Sequence, residues 1–225
     1  MRSDQVIIHL IDPTRIREIH THLTAEETER ASRFRSHKDS THWAACRAGL
    51  RIALAKACAI NPKDVPISVG PNGKPLLDPP FTHVHFNLSH CSDLALVAIA
   101  GTPVGIDIER SDRGPDLLGC EETFCHAGER MALPAEREPR SMFLLDIWTA
   151  KESVLKALGT GFFLPPEEVE IRFDTTPVTA LSPHRPTLSQ NLHIHRLGHP
   201  ALADHTAFVS TSPRVIEILF NTDFI

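Results

Sequence analysis

Asp107 and Glu109 stand at alternate positions in the run Gly105-Ile106-Asp107-Ile108-Glu109. On a strand, side chains two apart share a face, so the two carboxylates lie side by side with Ile106 and Ile108 buried behind them. Like charges this close repel unless a cation sits between them. Hard oxygen donors suit Mg²⁺, which takes one or two carboxylates and completes its shell with water and phosphate. A solvated strand face would carry the same pair. A second group lies in Trp148-Thr149-Ala150-Lys151-Glu152-Ser153-Val154-Leu155-Lys156. Helical positions four apart share one face, which aligns Trp148, Glu152 and Lys156. On spacing alone, Glu152 and Lys156 are a surface ion pair worth a few tenths of a kcal/mol. Asn87-Leu88-Ser89-His90, after His85-Phe86, ends a strand with groups that can hydrogen-bond phosphate. Gly70-Pro71-Asn72-Gly73-Lys74-Pro75 is a hairpin-like turn with one cation, since Asn-Gly supplies the positive φ such turns need.

The elements that must position these groups follow from periodicity and caps. Residues 5–11 read as a strand. Thr24 with Glu27 three residues on is a capping box opening a helix to about Phe34. Trp43, Leu50, Ala53, Leu54, Ala57 and Cys58 fall at helical spacing, which predicts a long helix over 39–60 stopped by Asn61-Pro62. Short strands are predicted over 65–69, 83–88, 94–100 and 104–109. Residues 113–118 read as a loop, 127–133 as a helix and 134–139 as a charged turn. A long helix is predicted over 141–158, ending at Gly159. Strands over 169–173, 192–197, 206–211 and 215–220 follow, with a long loop over 175–189.

Each half therefore has a long helix and about three strands. This pattern predicts an α+β fold of two similar lobes, with a boundary near Gly101–Gly105: residues 1–103 and residues 104–225.

The 225 residues carry 28 acidic against 23 Lys and Arg side chains, a net charge of −5. That balance speaks against a nucleic-acid binder, which shows a basic stripe or excess. No apolar stretch approaches the ~20 residues of a membrane-spanning helix, and the N-terminus does not read as a signal peptide. Five cysteines without a C-x-x-C pair read as free thiols in a reducing cytoplasm.

Each motif alone is weak, but their order and spacing are specific. Gly73-Lys74-Pro75, Phe86-Asn87-Leu88-Ser89-His90, Gly105–Glu109 and Trp148–Lys156 resemble the Sfp-like family of 4′-phosphopantetheinyl transferases. The resemblance is strong over residues 70–160 and covers the ends in outline. It implies two α/β lobes related by a pseudo-two-fold axis, each a small sheet on a long helix. It implies an Mg²⁺-dependent enzyme that moves phosphopantetheine from coenzyme A to a serine of an apo acyl or peptidyl carrier protein, releasing 3′,5′-ADP. By that likeness Asp107, Glu109 and Glu152 hold Mg²⁺, and Lys156 neutralises a phosphate oxygen with help from Lys151. Lys74 and Pro75 border the nucleotide in the first lobe, with Ser89 and His90 at the adenosine and its 3′-phosphate. Arg47 pairs with that phosphate, ahead of Arg30 and Arg33. The chain departs from some members at Thr28, Ala31 and Trp43, where they carry Lys or Arg. Glu152, directly or through water, takes the serine proton. With both lobes in one chain, a monomer is expected.

Other readings compete. One is a non-catalytic coenzyme A-binding or carrier-docking module, and another is an Mg²⁺-dependent phosphohydrolase. Retention of all three carboxylates and Lys156 argues against the first, while a phosphohydrolase would break down coenzyme A with no acceptor protein. His193, His195, His199 and His205 suggest a Zn²⁺ site without an acidic or thiol ligand beside them. Cys120, Cys125 and His126 make a weaker one. A Cys91 nucleophile beside His90 is disfavoured because adjacent strand residues face opposite ways. The segment 112–138, where Phe124, Met131 and Leu133 alternate with charges such as Arg130 and Arg137, is the expected docking surface for an acidic carrier.

Overall fold

The computed structural model describes residues 4–221 apart from 71, 184, 185, 187, 189–191 and 216. Pro71 of the turn and part of the 175–189 loop thus lie outside the described residues. The first half contains β1 (Gln5–Ile11), α1 (Ala25–Ser32), α2 (His37–Cys58), β2 (Ile67–Val69), β3 (Pro75–Leu77), β4 (His85–His90) and β5 (Ala95–Ala100). Then come β6 (Val104–Arg110), a 3-10 segment (Ser111–Leu117), α3 (Glu121–Phe124), α4 (Ala127–Met131) and α5 (Arg137–Leu158). The chain ends with β7 (Glu170–Arg172), β8 (Thr179–Leu181), β9 (His193–Arg196), β10 (His205–Thr211) and β11 (Glu217–Asn221).

Local chemistry accounts for the helix ends. The capping box at α1 is formed: Thr24 Oγ1 accepts from the Glu27 amide and Glu27 Oε2 accepts from the Thr24 amide. α2 stops before the expected Asn61-Pro62, because Ala59 turns left-handed at φ 55°. α5 starts at Arg137, inside the segment expected to be a turn. Pro139 does not prevent this, since the first-turn amides have no intrahelical partner to lose. Gly159 closes α5 at φ 66°, as the sequence predicts.

The fold is mixed α/β, built on small sheets. One sheet has the order β11-β1-β5-β4 and another β6-β10-β9. Among the described residues only β1 with β11 is a parallel pair; the other ladders are antiparallel. Alternation sends Val6, Ile8 and Leu10 of β1 with Leu96 and Ala98 of β5 onto Ile106, Ile108 and Val209 of the second sheet. Ile11, Val97 and Ile99 face α2 through Leu50 and Leu54. The far side of the second sheet packs Phe208 and Ile194 against Val154 and Leu155 of α5. The layers run helix, sheet, sheet, helix. Asn87 stitches the sheets together by accepting the Ile106 amide at 2.8 Å.

Gly105 sets how closely β6 and α5 approach. A Cβ there would lie 2.1 Å from the Ser153 carbonyl oxygen and 2.2 Å from the Ala157 nitrogen. Both atoms are backbone, so a side chain cannot swing clear. Gly105→Ala is expected to cost about 3 kcal/mol, the upper end of ordinary overpacking. A urea midpoint equal to the native one would show that the helix can stand off. Among the described residues, no helix is long and apolar enough to cross a membrane.

Candidate active site

β6 alternates across the two cores. Ile106 and Ile108 point between the sheets, so Gly105, Asp107 and Glu109 point to the α5 side. There the close approach at Gly105 brings up the α5 face that bears Glu152 and Lys156. Asp107 is buried, at 4% exposure. Its Oδ1 accepts from Lys156 Nζ at 2.5 Å and from the Ser89 hydroxyl at 2.7 Å. Its Oδ2 is buried with no hydrogen-bond partner. Lys156 Nζ also lies 3.9 Å from Glu152 Oε2.

Burial pushes the Glu109 carboxyl up, and the Asp107 charge adds to this; Arg113 and a bond from Trp148 oppose it. Burial also raises Glu152, with Asp107 and Glu109 adding and Lys156 opposing. Three acidic groups thus feel one another across a small space with limited water. Arg113 grips both Glu109 oxygens at 2.9 Å. Among the described residues the three carboxylates are not drawn into a tight ligand cluster; Lys156 and Arg113 hold two of them. Their oxygen-only character and the unpartnered Asp107 Oδ2 fit a hard divalent cation.

A cleft leads to this group. A cavity of about 270 Å³ is lined by Pro75, Leu88, Glu152, Lys156 and Phe162. Through Gly73, Pro75 and Leu88 it adjoins a cavity of about 530 Å³ lined by Arg30, Trp43, Arg47 and His90. Arg47 pairs with Glu27, which also takes Arg51. Burial alone would raise Glu27, yet bonds from Arg51, the Thr24 amide and Arg47 hold it below the usual carboxylate range. Two guanidiniums on Glu27 neutralise its charge, and Arg30 and Glu26 line the same cavity. Arg30 stacks over Trp43 at 5.1 Å, so the aromatic that replaces a cation at position 43 orients another one.

The sequence reading therefore has Asp107, Glu109, Glu152 and Lys156 together at one end, and Arg47, Pro75 and His90 along the cleft. Ser89 is turned to Asp107. The Lys74 ammonium is turned inward, donating to the Val104 and Ala157 carbonyls at 3.0 and 3.1 Å, and burial pushes it down to about 8. Lys151 must be corrected: it is fully buried and donates to the Phe124 and Pro166 carbonyls and to Glu129. Neighbours on a helix point about 100° apart, so Lys151 enters the core where Glu152 enters the cleft. Arg33 pairs with Glu29 on the surface.

The four histidines do not converge. His205 goes to Asp93 at 3.3 Å, His195 to Thr211, and His199 caps a short turn through the Ala201 amide. Burial raises the Cys91 thiol to about 11, which suits no nucleophile. Phe124 is core, at 2% exposure, whereas Met131 is 85% exposed. The reading missed Arg113 and Trp148 as partners of Glu109, although Arg113 stands four residues beyond it.

Fold and site describe a mixed α/β protein whose cleft gathers carboxylates at one end and cations along its length, equipment for holding polyphosphate. Comparisons with known proteins agree. Residues 103–209 match the 4′-phosphopantetheinyl transferase superfamily, and residues 12–103 match the family described as 4′-phosphopantetheinyl transferase, N-terminal. The chain is 32% identical over 169 residues to the 4′-phosphopantetheinyl transferase HetI of a Nostoc species, covering 72% of this chain and 70% of that one. It is 31% identical over 152 residues to a 4′-phosphopantetheinyl transferase of Bacillus subtilis, and 28% identical over 152 residues to Sfp of the same species. Each of those two matches spans 67% of this chain and 66% of the relative, just under two thirds of its length. The chain belongs to the 4′-phosphopantetheinyl transferase superfamily.

Proposed function

We propose that this chain transfers the 4′-phosphopantetheine group of coenzyme A to a serine of an apo acyl or peptidyl carrier protein, with Mg²⁺, releasing 3′,5′-ADP. The observation that carries this reading is the meeting of Asp107, Glu109, Glu152 and Lys156 at the end of a cation-lined cleft, with Asp107 Oδ2 buried and unpartnered. Asp107, Glu109 and Glu152 would hold the ion. Mg²⁺, when bound, offsets charge on the pyrophosphate oxygens and favours attack at phosphorus. Lys156 brings a fixed positive charge to the same oxygens. Glu152, with its raised carboxyl, takes the serine proton directly or through water. Arg47 and His90 face the 3′-phosphate, and Pro75 walls the nucleotide.

The reading includes two lobes, 1–103 and 104–225, related by a pseudo-two-fold axis and acting as a monomer in the cytoplasm. Two helix-backed sheets support it, while β11, which lies in 104–225, joins the first lobe's sheet and so crosses that division. The carrier docks on the 112–138 segment around exposed Met131. Arg137→Glu is expected to raise the carrier KM and leave the coenzyme A KM alone; an unchanged carrier KM removes Arg137 from docking.

Intact mass spectrometry of apo carriers incubated with coenzyme A and Mg²⁺ tests the function. A phosphopantetheine-sized gain that EDTA abolishes is expected; no gain on any carrier would sink the reading. Metal binding has its own readout. Mg²⁺ at 100 times its dissociation constant adds about 2.7 kcal/mol, or about 5–10 °C in Tm for a chain of this size. Glu152→Gln should remove most of that rise and raise the metal-free Tm. The sign follows from the raised Glu109 and Glu152 carboxyls. Groups with folded pKa above unfolded stabilise fully below the unfolded value and lose that stabilisation as pH climbs through the folded one. Once pH has passed the folded values, both are ionised and repel each other and Asp107. A Tm indifferent to Mg²⁺ would disprove the carboxylate site.

A further inference from the structure

His42 and Cys46 sit one helical turn apart on α2, and His90 ends β4 opposite them. One ligand atom from each falls within 4.8 Å of the others. Cys46 Sγ lies 3.6 Å from His42 Nε2. The His42 and His90 rings meet edge to face with centroids 5.3 Å apart. Cys46 is 1% exposed, so its position is fixed by the packing of α2 rather than by a mobile side chain. No carboxylate belongs to the group. Two imidazoles and a thiol are a borderline-soft donor set, poor for Mg²⁺ and suited to Zn²⁺. Three protein donors leave one position of a four-coordinate ion for water or a ligand.

We propose that His42, Cys46 and His90 form a binding site for Zn²⁺ or a similarly thiophilic divalent ion, separate from the carboxylate site. Burial holds the Cys46 thiol up at about 12, so the ion must displace its proton to water as it binds. Cys46 and His90 also line the 530 Å³ cavity. Resting on the functional reading above, the consequence is that the ion and the nucleotide of coenzyme A exclude each other, because both claim His90. Thiophilic ions then inhibit in competition with coenzyme A, and Mg²⁺ does not relieve them.

Co²⁺ titration of the metal-free protein tests this by the near-ultraviolet absorption of a cobalt-thiolate bond. A band that saturates at one ion per chain, and that Zn²⁺ abolishes, is expected. Cys46→Ala should eliminate the band, and His42→Asn should weaken Co²⁺ binding by at least the ~10-fold that losing even an outer partner of a metal ligand costs. His42 is only half-buried, so its variant serves if the Cys46 one does not fold. Cys91→Ala should keep the band, which separates this site from the neighbouring Cys91, Asp93 and His205 group. No band, or one that survives at full affinity in both variants, overturns the site. Addition of 3′,5′-ADP, which has no thiol of its own, should bleach the band. If the band is at this site and 3′,5′-ADP binds without disturbing it, the metal site stands and the placement of the nucleotide in this cavity fails.

Discussion

Asp107→Asn is expected to slow phosphopantetheine transfer on the order of 10²–10³-fold, the usual loss when one charge-stabilising group is removed from an active site. The change is nearly isosteric. The amide oxygen can still accept from Ser89 and from Lys156, so the link between β4, β6 and α5 survives. What disappears is the negative charge. The buried and unpartnered Oδ2 position becomes an N–H donor, which repels a cation where a carboxylate oxygen would bind one. The rate of carrier mass gain measures the effect, with the urea midpoint beside it to show that the fold is retained. A near-native rate would take Asp107 out of the metal set and leave Glu109 and Glu152 without their most buried member.

The second large effect comes from the adjacent cation on the same helix and is of another kind. Lys151→Met is expected to destabilise the chain by about 3–5 kcal/mol, because it leaves the buried carboxylate of Glu129 without its counter-charge. Glu129 joins three elements. It accepts the His126 amide at the start of α4, the Ile171 amide of β7 and the Lys151 ammonium of α5. Burial raises Glu129 and lowers Lys151, and each partner opposes the other's shift. Without the lysine, Glu129 is held even further above its unfolded value. Its favourable contribution is then full only at acid pH and is lost as pH rises through the folded pKa. The deficit of Lys151→Met should therefore shrink on acidification, and Glu129→Gln in the same chain should restore part of the stability. Activity per folded molecule should stay near native. A stable but inactive Lys151→Met would return this lysine to the phosphate.

These two residues show where the sequence was legible. Period-two alternation along 105–109 and period-four spacing along 148–156 identify the faces of β6 and α5, and those faces do meet. Helix caps were readable because a capping box and a terminal glycine act locally, and both stand where expected. Short elements such as β3, β8 and α3 went unread, since three or four residues carry too little periodicity and are formed by their partners. Lys151 is placed at the phosphate by the family resemblance alone, as a helper to Lys156. Its true environment depends on Glu129 and Pro166, which are distant in sequence and brought together only by packing. Lys74 misleads in the same way: its turn borders the cleft while its ammonium ties the carbonyl at the start of β6 to one at the end of α5.

The parallel pairing of β11 with β1 joins Gln5 to Glu217 and His9 to Asn221. A ribosome makes one of these strands first and the other more than two hundred residues later. The first sheet therefore waits with an open edge on β1 while the second sheet and α5 are being synthesised. That order predicts late closure: early products hold α2 against β1 and β5, and β11 seals an edge that would otherwise invite pairing with another chain. A nascent chain stopped before residue 217 should thus be more prone to associate than one that includes β11, even though Asp107, Glu109 and Glu152 are already in place.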